Sequence, residues 1–281
     1  MDRKAFDRVF IIMFENQLAD NVMQNPYMKS LATDGIYLYN YHGITHPSQP
    51  NYVASIAGST LGVDDDSLRD LEGDNIVDLL EAKGVSWKAY IEDLPEDDKT
   101  THKKHKYYRK HNPFISFDNN RNNPARLENI VEAKQLAIDL QNNSLPEYCW
   151  YTPNIENDGH SIPFDFELFN PLRRVNFLAR WLEGFLTPLL ANPNFTRGTL
   201  VVVTFDESLP HDDNHVYTVL LGEMVNPKLV ETERYNHYSL LRTIEENFDL
   251  GTLKREDQTA IWFKFLWGLD EPAFDWADHA Q

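Results

Sequence analysis

The sequence has a single cysteine, Cys149, so no disulfide can form within the chain. Cys149 lies in the apolar run Tyr148–Thr152, and a thiol in such surroundings is typically buried and unreactive. We therefore predict a structural role for this cysteine.

Long apolar runs are also missing. No stretch of about 18 apolar residues occurs, so the sequence predicts no transmembrane helix. Residues 1–14 contain too short an apolar segment, with too little before it, to form a secretory signal. We expect a cytoplasmic protein, or a secreted one if a leader has been removed from this sequence.

Positive charge is scarce. The chain has 26 Lys and Arg against 44 Asp and Glu, and its formal net charge is −18. Such a surface repels the backbone of nucleic acids and anionic membranes, so we expect neither as a partner. An enzyme for anionic substrates would need a local source of positive charge, either a metal ion or a basic patch.

The remaining composition is that of a globular protein. The 281 residues are 42% hydrophobic, and we predict one domain over residues 1–281. Residues 92–126 differ because they are polar, charged and rich in Asn, and we interpret them as an excursion from the core that forms a lid or rim. They include a basic cluster, for which a solvated loop is the commonest structure. Its members are Lys103, Lys104, Lys106, Arg109 and Lys110.

Predicted strands alternate with predicted helices along the chain. Apolar or alternating segments indicate strands at 8–14, 36–41, 85–91, 148–152, 200–205 and 217–221. Amphipathic segments indicate helices at 26–33, 48–57, 75–82, 127–141, 170–190 and 239–248. The alternation predicts an α/β fold with a mostly parallel sheet sandwiched between helices. We expect the aromatic segment 262–267 to pack onto this body.

Acidic side chains follow three of the predicted strands. Glu15 and Asn16 follow the first strand, Asp158 follows the fourth, and Asp206 and Glu207 follow the run 200–205. The carboxyl ends of parallel strands meet at one edge of a sheet, where functional side chains gather. Acids brought together there repel one another unless a cation is present, and a divalent metal ion accepts carboxylate and amide ligands.

Two histidines extend this hypothesis. His160 and His215 could supply nitrogen ligands to a metal ion or hydrogen bonds to a phosphate. Taken singly, each acid could equally be a loop residue or a helix cap, and His160 a surface histidine. The adjacent pair Asp206 and Glu207 is the most specific signal, because two acids after a buried strand are costly without a partner.

The segment Thr45-His46-Pro47-Ser48-Gln49-Pro50-Asn51-Tyr52 allows two interpretations. Ser48 could be an ordinary N-cap of the helix that Pro50 helps to start. Alternatively, its hydroxyl at a helix N-terminus could act as a metal-activated nucleophile, with Asn51 donating to a phosphate oxygen. Spacing alone leaves both open.

Seven motifs in order give a family resemblance. They are Glu15-Asn16, the segment His46 to Tyr52, Lys110-His111-Asn112-Pro113-Phe114, Asn157-Asp158-Gly159-His160, Thr204 to Glu207, Asn214-His215-Val216, and the run from His237 to Glu245. Over residues 8–250 the chain resembles the phosphoesterase family of acid phosphatases and phosphatidylcholine-type phospholipases C. That family belongs to the alkaline-phosphatase-like superfamily.

The resemblance implies roles for individual residues. A divalent metal ion (Mg, Mn, Ca or Zn) would be held by Glu15, Asn16, Ser48, Asp206 and Glu207. Ser48 would be the nucleophile that forms a phosphoserine intermediate, and His160 or His215 would protonate the leaving alkoxide. Asn51, His111 and Asp158 would lie near the phosphate, and Asp158 and the two histidines could instead bind a second metal ion. His237 would have a supporting role.

The resemblance implies hydrolysis of phosphate esters, with an acid-phosphatase-like monoesterase expected first. The alternatives are a phospholipase C-like phosphodiesterase and, from another class, a non-catalytic relative that binds divalent cations. A sulfatase-like activity is disfavoured, because Ser48-Gln49-Pro50-Asn51 has no Arg at its last position.

Overall fold

The computed structural model describes residues 4–161, 171–210, 212–227, 229 and 231–268. The strands of its central sheet are β1 Arg8–Phe14, β2 Ile36–Tyr37, β4 Trp87–Ile91, β7 Ile130–Glu132, β8 Tyr148–Thr152, β9 Thr199–Phe205 and β10 Val219–Leu221. Their order is β2–β10–β9–β1–β8–β4–β7, and only β10 runs antiparallel to its neighbours among these seven. Two short pairs lie outside it, β3 Tyr41–His42 with β11 Tyr235–Asn236, and β5 Lys103–Lys104 with β6 Tyr107–Tyr108.

Helices connect most of the strands. In chain order the α-helices are α1 Ala19–Met23, α2 Pro26–Asp34, α3 Ser48–Ala57, α4 Ile76–Ala82, α5 Pro113–Ser116, α6 Asp118–Arg121, α7 Pro124–Leu127, α8 Gln135–Gln141, α9 Pro171–Leu190, α10 Pro193–Thr196 and α11 His237–Phe248. Short 3₁₀ turns cover Arg109–His111, Glu256–Thr259 and Lys264–Trp267. The predicted α/β fold with a mostly parallel sheet is confirmed.

The apolar run of β1 places this strand in the middle of the sheet. Six of its seven residues are buried, and it pairs in parallel with both β8 and β9. Phe14 lies opposite Phe205, so the residues that follow the two strands are neighbours. The backbone N–H of Asp206 donates to the Phe14 carbonyl at 2.9 Å, and that of Glu15 donates to the Asp158 carbonyl at 2.9 Å. The three acid-bearing strand ends therefore meet at one edge.

Two predicted elements are wrong in part. Residues 36–41 do not form one strand, because β2 ends at Tyr37 and Tyr41 begins β3 in another sheet. Residues 127–141 do not form one helix, because Ile130–Glu132 pairs with β4 before α8 begins. Ile130 is fully buried there, and the sheet edge favours its β-branched side chain over the helical alternative.

Much of the polar segment 92–126 belongs to the core. Tyr107, Phe114, Ile115 and Phe117 are buried, and the Phe114 ring stacks on Trp87 at 5.7 Å between centroids. Because polar residues surround these four, the composition of the segment does not indicate that they are buried. The segment thereby returns to the sheet, and it carries Arg109–His111 to the edge where the acids meet.

The remaining expectations concern the aromatic segment 262–267 and the thiol of Cys149. Phe263 is fully buried, and its ring packs edge-on against that of Tyr235 with 4.8 Å between centroids. The segment 262–267 therefore packs onto the rest of the domain, as predicted. Cys149 is buried and its Sγ donates to the Pro146 carbonyl, while burial raises the pKa of this thiol. Among the described helices, none is long and apolar enough to cross a bilayer.

Candidate active site

The site begins with the acids at the ends of β1 and β9. Glu15, Asp206 and Glu207 are all at most 1% exposed, which is rare for carboxylates without a partner. Asn16 links the two strand ends, because its side-chain Nδ2 donates to Glu207 Oε1 at 2.6 Å. The parallel register of the two strands thus produces a compact group of oxygen ligands.

Helix α3 brings Ser48 to this group. Pro47 occupies the N-cap position and provides no side-chain cap, and Ser48 is the first helical residue. The interpretation of Ser48 as an ordinary N-cap is therefore wrong. Asn51 fixes the approach to the helix instead: its amide accepts from the N–H groups of Ile44 and Thr45 and donates to the carbonyls of Thr45 and Pro47.

The Ser48 hydroxyl faces more acceptors than it has protons. Its Oγ is 3.1 Å from Glu15 Oε2, 3.1 Å from Glu207 Oε1 and 3.5 Å from Asn16 Oδ1. A hydroxyl donates one proton, so the other close oxygen pairs require a further proton or a cation between them.

A second group of ligands shares Glu15. Single ligand atoms of Glu15, His111 and Asp158 all lie within 4.8 Å of one another, and all three side chains are buried. His111 Nε2 is 3.0 Å from Glu15 Oε1, and its Nδ1 is 3.6 Å from Asp158 Oδ2. The structure thus places His111 and Asp158, which the resemblance assigned to the phosphate, where they could also hold a metal ion.

The loop after β8 determines the position of Asp158 and His160. Asn154 turns the chain, because its carbonyl accepts from the N–H groups of Asn157 and Asp158 at 2.9 Å. Gly159 has φ +95°, and a Cβ there would lie 2.7 Å from Leu178. The His160 N–H donates to Asp158 Oδ1 at 2.8 Å, and the ring Nδ1 is 3.2 Å from Glu15 Oε2.

The four buried acids of the site change one another's pKa values. Burial and the charge of Glu15 raise the pKa of Asp158 and of Asp206 well above the usual range, and they raise the pKa of Glu207 to about 8. Burial works against ionisation of Glu15 as well, but the adjacent His111, His160 and Lys110 outweigh it and hold the pKa of Glu15 below its usual range. The four acids therefore cannot all ionise near neutral pH without added positive charge.

The donor set fits a divalent cation. Within the described part of the chain, no hydrogen bond reaches Asp158 Oδ2 or either carboxylate oxygen of Asp206. Glu15 Oε1 and His111 Nε2 are 3.0 Å apart but lack the geometry of a hydrogen bond. Buried polar atoms are normally hydrogen-bonded, and these orphans all lie at the edge where the acids meet. Carboxylate and amide oxygens suit Mg, Mn or Ca, and an imidazole nitrogen among the ligands suits Zn.

Similarity to known proteins agrees with this geometry. Residues 13–251 match the model of the Phosphoesterase family. The chain belongs to the Phosphoesterase family. It is 40% identical over 270 residues to a probable acid phosphatase of Kluyveromyces lactis, a match that covers 91% of this chain and 61% of that protein. The chain thus spans less than two thirds of the length of this relative.

Two further matches extend the comparison. The chain is 30% identical over 255 residues to the phosphatidylinositol-3-phosphatase of Mycobacterium tuberculosis, which covers 88% of this chain and 78% of that one. A crystal structure of an alkaline phosphatase superfamily protein from Vibrio parahaemolyticus aligns with TM-score 0.60 at 12% identity, over 90% of this chain and 70% of that one. The predicted alkaline-phosphatase-like fold is confirmed.

Not every predicted residue of this Phosphoesterase family member lies at the centre of the site. His215 forms a bridge with His42, and its ring lies 5.6 Å from that of His42 and 6.0 Å from that of Tyr39. Within the described residues, His215 forms no hydrogen bond or ion pair with Ser48 or Glu15. His237 is buried, and its Nε2 lies 2.6 Å from the Asp206 carbonyl, so it supports the end of β9.

Two residues of the site escape prediction from the sequence. His46 contacts the Glu207 carboxylate through Nδ1, although the sequence marks it only as part of a loop motif. Lys110 belongs to the basic cluster, yet its side chain is only 13% exposed and its Nζ bonds Asp66 at 2.7 Å. The solvated-loop interpretation is therefore wrong for Lys110. Its position directly before His111 was the available signal.

Proposed function

We propose that this chain hydrolyses phosphate monoesters with Ser48 as nucleophile. The observation that carries the proposal is the position of the Ser48 hydroxyl, at the start of α3 and 3.1 Å from both Glu15 and Glu207. A hydroxyl surrounded by carboxylates can lose its proton to one of them as it attacks phosphorus. Membership of the Phosphoesterase family and the acid phosphatase relatives support the same reaction class.

Residues of two groups would hold a divalent cation. In the first group, Glu15, Asn16 and Glu207 lie around Ser48, and Asp206 directly precedes Glu207 at the end of β9. Glu15, His111 and Asp158 form the second group. When bound, a divalent cation would lower the pKa of the serine hydroxyl and neutralise charge on the phosphoryl group. The shared Glu15 allows one ion or two.

The chain's own residues then account for the proton transfers. Ser48 attacks phosphorus and forms a phosphoserine as the ester alcohol leaves. His160 is the better donor to this alcohol, because its ring bonds Glu15 and is 44% exposed, whereas His215 packs against His42 and Tyr39. Water then loses a proton to His160, which is now neutral, and attacks the phosphoserine from the side that the alcohol vacated. Ser48 regains a proton as phosphate is released.

The test measures hydrolysis of p-nitrophenyl phosphate and bis(p-nitrophenyl) phosphate by protein stripped of metal ions. Mg, Mn, Ca and Zn are added back one at a time, for the wild type, Ser48→Ala and Ser55→Ala. Ser55 is the matched control, because it lies in the same helix and its hydroxyl donates to the Tyr52 carbonyl rather than to an acid of the site. We expect metal-restored turnover that drops by about three or more orders of magnitude in Ser48→Ala, and a control close to wild type.

Each other outcome has a definite meaning. Activity retained in Ser48→Ala would contradict the nucleophile assignment. Faster turnover of the diester would replace the monoesterase with the phospholipase C-like phosphodiesterase. Tight metal binding without turnover of either ester, from acidic to alkaline pH, would favour a non-catalytic cation-binding relative.

A further inference from the structure

A lysine whose side chain is only 13% exposed, Lys110, lies beside the start of helix α3. Lys110 Nζ bonds Asp66 Oδ2 at 2.7 Å, and the other oxygen of the same carboxylate accepts from the Gln49 N–H at 3.0 Å. Gln49 directly follows Ser48 in α3. One carboxylate therefore bridges an ammonium group and a backbone N–H next to the proposed nucleophile.

The lysine is held in this place by the chain around it. The following residue, His111, contacts Glu15, and its ring stacks on Tyr52 of α3 at 5.3 Å and 18°. Lys110 thus brings a cationic side chain to an edge that otherwise carries four acids.

The Asp66 carboxylate has the contacts that a phosphate oxygen pair would have. Anions bind where backbone N–H groups at a helix start and a lysine converge. The Asp66 side chain is 36% exposed and lies in a loop, whereas the Lys110 side chain is 13% exposed and Gln49 is buried. The carboxylate is therefore the partner that can move away when another anion arrives.

We propose that Lys110 binds the non-bridging phosphoryl oxygens and selects dianionic phosphate monoesters over diesters, and that Asp66 holds the lysine until the substrate replaces it. This inference rests on the proposed function and names its substrate class. A monoester dianion carries one more negative charge than a diester, and that charge is what a fixed ammonium group recognises. Asp66 and the substrate then compete for the same two donors.

The experiment compares Lys110→Met, Lys110→Arg and Asp66→Asn with the wild type. Inorganic phosphate binding is measured by calorimetry on the metal-loaded protein, and kcat/KM is measured for p-nitrophenyl phosphate and its diester. Lys83→Met is the matched control, because Lys83 forms a comparable pair with Asp249 on the surface. The melting temperature of each variant establishes that it is folded.

We expect the lysine and aspartate variants to act in opposite directions. Lys110→Met should weaken phosphate binding and lower monoester kcat/KM by about tenfold, with a loss of less than about threefold for the diester. Lys110→Arg should retain most of the monoester preference. Asp66→Asn still accepts from Gln49 but releases the lysine, so it should tighten phosphate binding by about two- to fivefold.

Two results would overturn the inference. Equal losses for monoester and diester in Lys110→Met would show that the lysine does not recognise charge. Weaker phosphate binding in both Lys110→Met and Asp66→Asn would show that the pair only fixes the loop. An inactive wild type would contradict the proposed function instead, and the calorimetric comparison would still test Lys110.

Discussion

At the scale of single residues, His46 directs another side chain of the site. Its Nδ1 contacts one oxygen of Glu207, whose other oxygen lies beside Ser48 and Asn16. Burial lowers the pKa of His46 and so favours the neutral ring, in which one nitrogen carries a proton and the other can accept one. We infer that the histidine orients Glu207 toward the proposed nucleophile.

Replacing His46 tests this orienting role. In His46→Ala we expect kcat/KM for the monoester to fall by about ten- to a hundredfold, together with weaker metal binding. His46→Asn should recover part of both losses, because the asparagine amide can donate from nearly the same place as Nδ1. Titration of metal-stripped protein and steady-state kinetics measure the two effects. Equal losses in both variants would show that the bond to Glu207 does not matter.

At the scale of elements, helix α11 extends from the site to Glu245, a buried acid outside it. Its first residue, His237, contacts the Asp206 carbonyl, whereas near its other end Glu245 is 1% exposed. Within the described residues neither carboxylate oxygen of Glu245 is hydrogen-bonded, and Arg242 on the same helix approaches Oε2 only to 3.9 Å. Burial first, and then the charge of Asp257, raise the pKa of Glu245 to about 9. The native state therefore keeps this acid protonated at neutral pH.

This raised pKa makes stability depend on pH. Below about pH 4.5 Glu245 is protonated in both states, so it adds no pH dependence. Between about pH 4.5 and about pH 9, Glu245 ionises in the unfolded chain but not in the native state. The free energy of unfolding therefore falls as pH rises. Glu245→Gln cannot ionise, so we expect urea unfolding to show a gain over wild type at pH 8 and none at pH 4. Glu246→Gln on the same helix is the control, and an equal gain there would contradict the explanation.

The sequence predicts elements better than the contacts between them. The apolar runs that become β1 and β9 and the acids that follow them were recognisable, because burial and strand ends follow from local composition. The strand at 130–132 was missed, because its pairing with β4 is a long-range contact. Lys110 was missed for the same reason: its partner Asp66 lies far away in the sequence, and local charge alone indicates a solvated loop.

At the scale of the whole molecule, the proposed cation links folding to the site. The edge of the sheet holds Glu15, Asp158, Asp206 and Glu207 close together, and their burial and the charge of Glu15 make ionisation of the other three unfavourable in the native state. A cation that binds the folded chain but not the unfolded one stabilises it in proportion to its occupancy. A chain with a formal net charge of −18 should therefore be more stable with the ion than without it.

Thermal unfolding with and without metal ions tests this link. At about a hundred times Kd the stabilisation is about 2.7 kcal/mol, which should raise Tm by about 5 °C in a chain of this size. Asp206→Asn should abolish the rise if the ion binds beside Ser48, and Asp158→Asn should abolish it if the ion binds in the group with His111. Asp64→Asn is the control, because its carboxylate is 86% exposed. A partial loss in each of the two site variants would indicate two ions that share Glu15, whereas an unchanged Tm with Mg, Mn, Ca and Zn would contradict the cation site.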